Sequence, residues 1–222
     1  MVSSPLVGVV LAGGLGRRLG GDKPAALLAG KPLLAWVAER LAPQVGRLLI
    51  NPGPAGTPWP ELPLPVTPVW DRLPGRPGPL AGVDAALAHL EARSGEGEWL
   101  LAVPCDAPFL PADLGARLLA AARAAGRPAA CAERGGQPQW AFSLWHRSAA
   151  RSVADRLAAG DGSLRGVLGA LGALRVPWPA EGDDPFADLD LPGDLVWAEE
   201  LVARMERSGI REPPKKRSSN KA

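Results

Sequence analysis

The segment LVGVVLAGGLGRRLGGDKPAALLAGKPLL (6–34) constrains this chain more than any other. Residues 6–11 are apolar and valine-rich, the pattern of a buried strand near the start of the chain. Five glycines then fall between Gly13 and Gly21, with Arg17 and Arg18 among them and Asp22-Lys23 directly after. From Pro32 the spacing turns helical: Leu33, Leu34, Trp36, Val37 and Leu41 fall largely along one face, and proline suits a first turn. A strand that empties into a glycine-rich basic loop gathers bare backbone N–H groups and cations. Phosphate oxygens need such a place, because glycine lets the backbone come close.

Two standard phosphate loops do not fit. The Walker pattern wants Gly-Lys followed by Ser or Thr, but Gly21 precedes Asp22 and Gly30-Lys31 precedes Pro32. The dinucleotide fingerprint is met by Gly14 and Gly16, yet Gly20 comes one position late and no helical pattern starts there.

The rest of the first half alternates. RLLIN (47–51) and 66–70 read as strands, ending at Asn51 and before Asp71. A glycine–proline loop (72–82) feeds a helix over 80–93. WLLAV (99–103) is a buried strand that runs into Pro104-Cys105-Asp106, and 111–125 is helical with Asp113 in its first turn. In the second half, 129–133 and 140–145 read as strands around a Gly135-Gly136 turn. Helices are expected over 148–159 and 163–171, strands over 173–176 and 186–190, and a last helix over 192–207.

Strand–loop–helix alternation implies an α/β fold: a mostly parallel, Rossmann-like central sheet with helices on both faces and right-handed crossovers. Ligands of such sheets bind at the carboxyl ends of the strands. Residues 12–23, Asn51, Asp71 and Asp106 all leave strands at that edge. A carboxylate placed there, as Asp106 is, can hold Mg²⁺ with phosphate oxygens completing the shell, or can simply cap the next helix.

Length and composition bound the remainder. The 222 residues suit one sizeable α/β domain, and 46% hydrophobic with 22% charged is ordinary for a globular chain. The reading is one domain over 1–206, in a regularly alternating part over 6–125 and a less regular one over 126–206. Net charge is +2, but residues 207–222 hold six Lys/Arg against Glu212 alone. The positive charge therefore belongs to an apolar-poor tail, expected to be disordered, and gives no argument for nucleic acid. Two cysteines, Cys105 and Cys131, frame neither a disulfide scaffold nor a cysteine metal site and suit a reducing compartment. No apolar stretch reaches a membrane span and no signal peptide is seen, so a cytoplasmic protein is expected.

LAGG (11–14), the two arginines, GG-DK (20–23) and L-x-GKPL (28–33) together resemble the opening of the molybdenum cofactor guanylyltransferases. PCD-x-P (104–108) looks like the metal-binding segment of that family, and GPLAG (78–82) like another of its motifs. The resemblance implies a nucleotide-diphospho-sugar-transferase-like fold and transfer of GMP from GTP to Mo-molybdopterin with Mg²⁺. Molybdoenzymes or their chaperones would be further partners.

It also implies roles, with 6–125 as the nucleotide-binding half and 126–206 as the acceptor-binding half. Asp106 would hold the metal, Lys23 and Arg17 would act on the phosphates, and Leu11, Ala12, Gly13, Gly14, Asn51, Asp71 and Gly82 would bind the nucleotide. The cytidylyl relatives read Leu-Ala-Ala-Gly at 11–14, so Gly13 is expected to leave room for a purine. The family's late Asn-x-Asn-Thr-Pro segment is replaced here by Asp188-Leu189-Asp190-Leu191-Pro192, and Gln137-Pro138 stands where His-Pro is common. Asp188, Asp190 and Arg165 are the residues left to face the acceptor. The rival readings are a transferase of the same fold using CTP or a sugar phosphate, and a nucleotide-binding protein without turnover.

Overall fold

Period-two alternation along the first strand decides how the layers form. In the computed structural model β1 (Leu6–Leu11) is buried throughout; Leu6 and Val10 enter one core, while Val7, Val9 and Leu11 enter the other. The structure describes residues 6–14, 22–75, 78–93, 95 and 97–208. Arg17, Arg18 and the basic tail from 209 onward lie outside the described residues.

After β1 come a short hairpin, β2 (Leu27–Leu28) and β3 (Lys31–Pro32), then α1 (Leu33–Leu41), β4 (Arg47–Asn51) and β5 (Thr67–Pro68). These are followed by α2 (Pro79–Glu91), β6 (Trp99–Pro104), α3 (Leu114–Ala124), β7 (Ala129–Arg134) and β8 (Gln137–His146). The chain closes with α4 (Ala150–Ala158), α5 (Leu164–Ala170), β9 (Leu174–Trp178) and α6 (Pro192–Ser208).

Seven strands form one sheet in the order β5-β4-β1-β6-β8-β7-β9. All run the same way except β8, which is antiparallel to both of its neighbours. The mostly parallel α/β sheet expected from the sequence is therefore present, and strands from both halves of the chain share it. Leu34, Val37 and Leu41 of α1 and Leu114 and Leu118 of α3 cover one face. The other face is covered by Leu80 and Leu87 of α2, Val153 of α4 and Val167 of α5.

A third cluster lies apart from these layers. Leu201, Val202 and Met205 of α6 pack on Leu28, Leu33, Phe109 and Leu189. Each fully buried large apolar side chain contributes roughly 1.5–3 kcal/mol. That is enough to hold α6, and the segment leading into it, firmly against the body.

Several boundaries differ from the sequence reading. The strand expected over 186–190 is a loop: Phe186 and Leu189 are buried as in a strand, but Leu189 donates its N–H to the Asp106 carbonyl at 2.9 Å instead of to a ladder. The strand over 66–70 shrinks to two residues, because Pro65 and Pro68 offer no donors. Helix 148–159 opens with a 3₁₀ turn at Arg147–Ala149, and helix 111–125 starts only at Leu114, with Asp113 at its N-cap. The hairpin β2–β3 has too little pattern to be legible in two-residue strands.

Candidate active site

Three neighbouring strand ends are tied edge to edge. The Ala12 N–H donates to the Asn51 carbonyl at 2.8 Å, and the Cys105 N–H donates to the Leu11 carbonyl at 3.2 Å. Beyond β5, the Asp71 N–H donates to the Gly53 carbonyl at 2.9 Å. Leu11–Gly14, Asn51, Asp71 and Asp106 thus meet at one edge, as parallel pairing requires.

A cleft of about 330 Å³ opens there, lined by Leu11, Gly13, Gly14, Asn51, Asp71, Gly78, Pro79, Pro104, Ala141 and Leu164. This lies within the range of small-molecule sites. The first N–H groups of α2 are already taken: Leu80 donates to the Gly162 carbonyl and Ala81 to that of Gly78. With those donors spent and five apolar side chains around it, this end suits a planar ring better than a phosphate.

The polar corner of the cleft is held by Asn51, which is 4% exposed. Its Nδ2 donates to the Val69 carbonyl at 2.9 Å and to Asp71 Oδ1 at 3.0 Å. Gly82 packs on the same side chain, and a Cβ there would fall 2.4 Å from Asn51 Oδ1 and 2.7 Å from Leu11 Cδ2. Gly82 therefore serves the site by letting α2 close on Asn51, and it does not line the cleft. Gly13 lines the cleft, but a Cβ there would meet Gly53 Cα at 3.0 Å, so its bareness also serves backbone packing. A Cβ on Gly14 would meet nothing within 4 Å among the described residues.

The charged end lies across β1 and β6. Lys23, on a single 3₁₀ turn (Lys23–Ala25) seated by buried Pro24, pairs with both Asp106 and Asp190. Burial alone would lower the pKa of Lys23; the hydrogen bonds and charges of Asp106 and Asp190 outweigh it and hold the ammonium above its usual value. Asp106 is nine-tenths buried, and among the described residues its Oδ1 has no hydrogen-bond partner. Asp188 stands at the rim. Desolvation of its carboxyl, then the charge of Asp106, push it up to about 7 against the pull of Lys23. A carboxyl near half-protonation offers both a donor and an acceptor, as an amide does.

The sequence-derived residues are therefore brought together at one edge, apart from Arg17, which lies outside the described residues, and Arg165. Arg165 is exposed on the first turn of α5, next to the cleft-lining Leu164. His146 sits across from Trp99 at the other end of β6, which removes it from the chemistry. Sequence reasoning missed the walls formed by Ala141 and Leu164, which carry no motif. It also missed the tether of Arg72 Nη1 to Asp84 at 3.3 and 3.4 Å. An aspartate inside PLAGVDAAL, flanked by apolar residues on both sides, was the available signal.

A lysine–aspartate pair beside a ring-sized slot at the carboxyl ends of parallel strands fits the nucleotidyltransferase class. The family model for the MobA-like NTP transferase domain matches residues 8–176, and the chain belongs to that family. It is 41% identical over 200 residues to a molybdenum cofactor guanylyltransferase of Cereibacter sphaeroides, covering 90% of this chain and 98% of that one. A namesake from Rhodopseudomonas palustris is 38% identical over 203 residues, covering 90% and 95%. Among solved structures, molybdopterin-guanine dinucleotide biosynthesis protein A of Archaeoglobus fulgidus superposes with a TM-score of 0.68 at 22% identity, over 90% of this chain and 100% of the other. The 2-C-methyl-D-erythritol 4-phosphate cytidylyltransferase of Thermus thermophilus shares the fold at a TM-score of 0.60 and 21% identity, over 89% and 98%.

Proposed function

We propose that this chain transfers GMP from GTP to the phosphate of Mo-molybdopterin, releasing pyrophosphate and forming molybdopterin guanine dinucleotide. The supporting observation is the Lys23–Asp106 pair, two residues beyond the cleft-lining Pro104 and so beside a slot whose side chains are apolar except for Asn51 and Asp71. Guanine and ribose take the slot, where Leu11, Pro79 and Leu164 face the ring and Asp71 supplies a carboxylate acceptor. The triphosphate then extends over Gly13 and Gly14 toward Lys23.

Asp106 would hold a Mg²⁺ ion arriving with the triphosphate. Its buried Oδ1, which has no hydrogen-bond partner among the described residues, fits such a ligand. Among the described residues no three His, Cys, Asp or Glu side chains gather as a self-sufficient metal site, which suits an ion shared with phosphates. When bound, the ion would offset charge on the triphosphate.

An oxygen of the acceptor phosphate bonds to the α-phosphorus while the α–β bridging bond breaks, and its electron pair leaves with pyrophosphate. A phosphate monoester is already largely dianionic at neutral pH, so no side chain has to take a proton. What this chain supplies is position and charge: Lys23 on the phosphates, and Asp188, Asp190 and Arg165 on the acceptor side.

The test is purified protein with GTP, Mg²⁺ and Mo-molybdopterin, followed by pyrophosphate release and by the guanylated product. Tighter competition by CTP than by GTP would move the substrate to the cytidylyl side. GTP binding without pyrophosphate release would leave a binding protein without turnover.

A further inference from the structure

Lys23 is one ammonium serving two carboxylates, one just after β6 and the other just before α6. The approach of Asp190 is built by the backbone. The Leu189 N–H donates to the Asp106 carbonyl at 2.9 Å, and the Asp190 and Leu191 N–H groups both donate to Asp194 Oδ2, at 2.9 and 2.7 Å. The loop is thus pinned on either side of Asp190, and α6 packing holds the pin in place.

Two carboxylates are held side by side at one ammonium. Among the described residues Asp106 Oδ1 is buried with no hydrogen-bond partner, an expensive condition for a largely buried carboxylate. A divalent cation would answer both conditions. The Asp190 side chain, 46% exposed, leaves a way in from solvent, whereas Lys23 and Asp106 are each 12% exposed.

Resting on the nucleotidyl-transfer reading, we propose that Asp190 is the second carboxylate of the cation seat beside Asp106, and that Lys23 occupies this seat until metal and nucleotide displace it. Asp190 thus works on the metal as well as standing beside the acceptor. The exchange neutralises both carboxylates with the divalent ion and releases an ammonium on a four-carbon stem, beside which the phosphates must lie. Metal alone must evict a doubly paired lysine and binds weakly. A triphosphate offers that lysine new partners, so metal and nucleotide bind with positive coupling, and each strengthens the other equally.

The experiment is Mn²⁺ titration of the full chain by electron paramagnetic resonance, with and without GTP and without acceptor. Lys23→Met should bind Mn²⁺ in the absence of nucleotide about tenfold or more tightly than the parent protein. Lys23→Arg should stay weak, and adding Asp190→Asn to Lys23→Met should remove the gain. Unchanged metal binding by Lys23→Met overturns the exchange, and a gain that survives Asp190→Asn overturns the second carboxylate.

In either of those cases, loss of the GTP-dependent Mn²⁺ signal in Asp106→Asn leaves the transfer reading standing. Persistence of that signal in Asp106→Asn takes the metal assignment down instead. Should Lys23→Met fail to fold, acetic anhydride labelling of Lys23 in the parent protein decides: it should rise as Mn²⁺ loads, and unchanged labelling at saturation overturns the exchange.

Discussion

Asn51 holds Asp71 in place: its amide donates to one Asp71 oxygen at 3.0 Å and, with the same nitrogen, to the Val69 carbonyl at 2.9 Å. Both donor hydrogens are spent inside the protein, so an effect of Asn51 on nucleotide binding is expected to run through the carboxylate it orients. Asn51→Ala leaves a buried carbonyl unpaired and lets Asp71 turn. The cost should be about 1–3 kcal/mol of stability, read by chemical unfolding. The KM for GTP should rise roughly tenfold, equivalent to about 1.4 kcal/mol of lost positioning, with a smaller change in kcat. Asn51→Asp, which sets a second carboxylate against the first, should be worse than alanine on both readouts.

Gly82 makes that arrangement possible, because α2 passes too close to Asn51 and Leu11 to admit a Cβ. Neither neighbour can yield cheaply, since Asn51 is fixed by two hydrogen bonds and Leu11 is buried in the sheet. Gly82→Ala should therefore destabilise by about 1–3 kcal/mol and weaken GTP binding in parallel. Gly169→Ala is the control. It lies on α5, where a Cβ meets nothing within 4 Å, and alanine there should be neutral or stabilising by about 0.5–1 kcal/mol. Thermal melts of the two variants should move in opposite directions.

How much of this was legible in the sequence follows from what each residue depends on. Leu11–Gly14, Asn51, Asp71 and Asp106 are legible because each follows a strand, and parallel pairing sends all such ends to one edge whatever the tertiary detail. Asp190 was legible as a site residue, but its pairing with Lys23 was not. That contact needs the loop before α6 to lie across Asp106, and the alternation Phe186–Ala187–Asp188–Leu189 imitates a strand there. The purpose of Gly13 and Gly82 was half legible. Sequence marks them as bare backbone near a ligand, while the structure shows the Gly53 backbone and the Asn51 side chain filling the space a Cβ would take. Ala141 and Leu164 were not legible at all, since apolar residues on β8 and α5 look alike whether they face a core or a cleft.

Asp106→Asn tests the chemistry with little disturbance of the fold, because the amide keeps the size and the backbone bonds around it. Pyrophosphate release should fall about 10²–10³-fold, the loss expected when a pre-placed charge contact to the reacting phosphates is removed. Far-UV circular dichroism should be unchanged. Release at the parent rate would mean that another residue carries the role.

The tether between Arg72 and Asp84 joins pH dependence to the loop that bears Asp71. Burial, first of all, raises the Asp84 carboxyl above the usual carboxylate range, and Arg72 only partly opposes it. The folded chain therefore keeps this proton to a higher pH than the unfolded chain does. Between the ordinary value and the raised one the folded state binds more protons, so stability falls as pH rises through that window. Asp84→Asn removes this contribution, and its unfolding free energy should be flatter across the acid range and no lower than the parent's at pH 7. Binding should move the other way. The Arg72 side chain is 55% exposed, so its pair is worth about 1 kcal/mol or less, which caps the rise in KM for GTP at about fivefold. A variant that is equally stable or more so, yet binds GTP more weakly with kcat unchanged, would show the buried carboxylate acting through Arg72 on the neighbouring Asp71; unchanged GTP affinity would make the pair structural only.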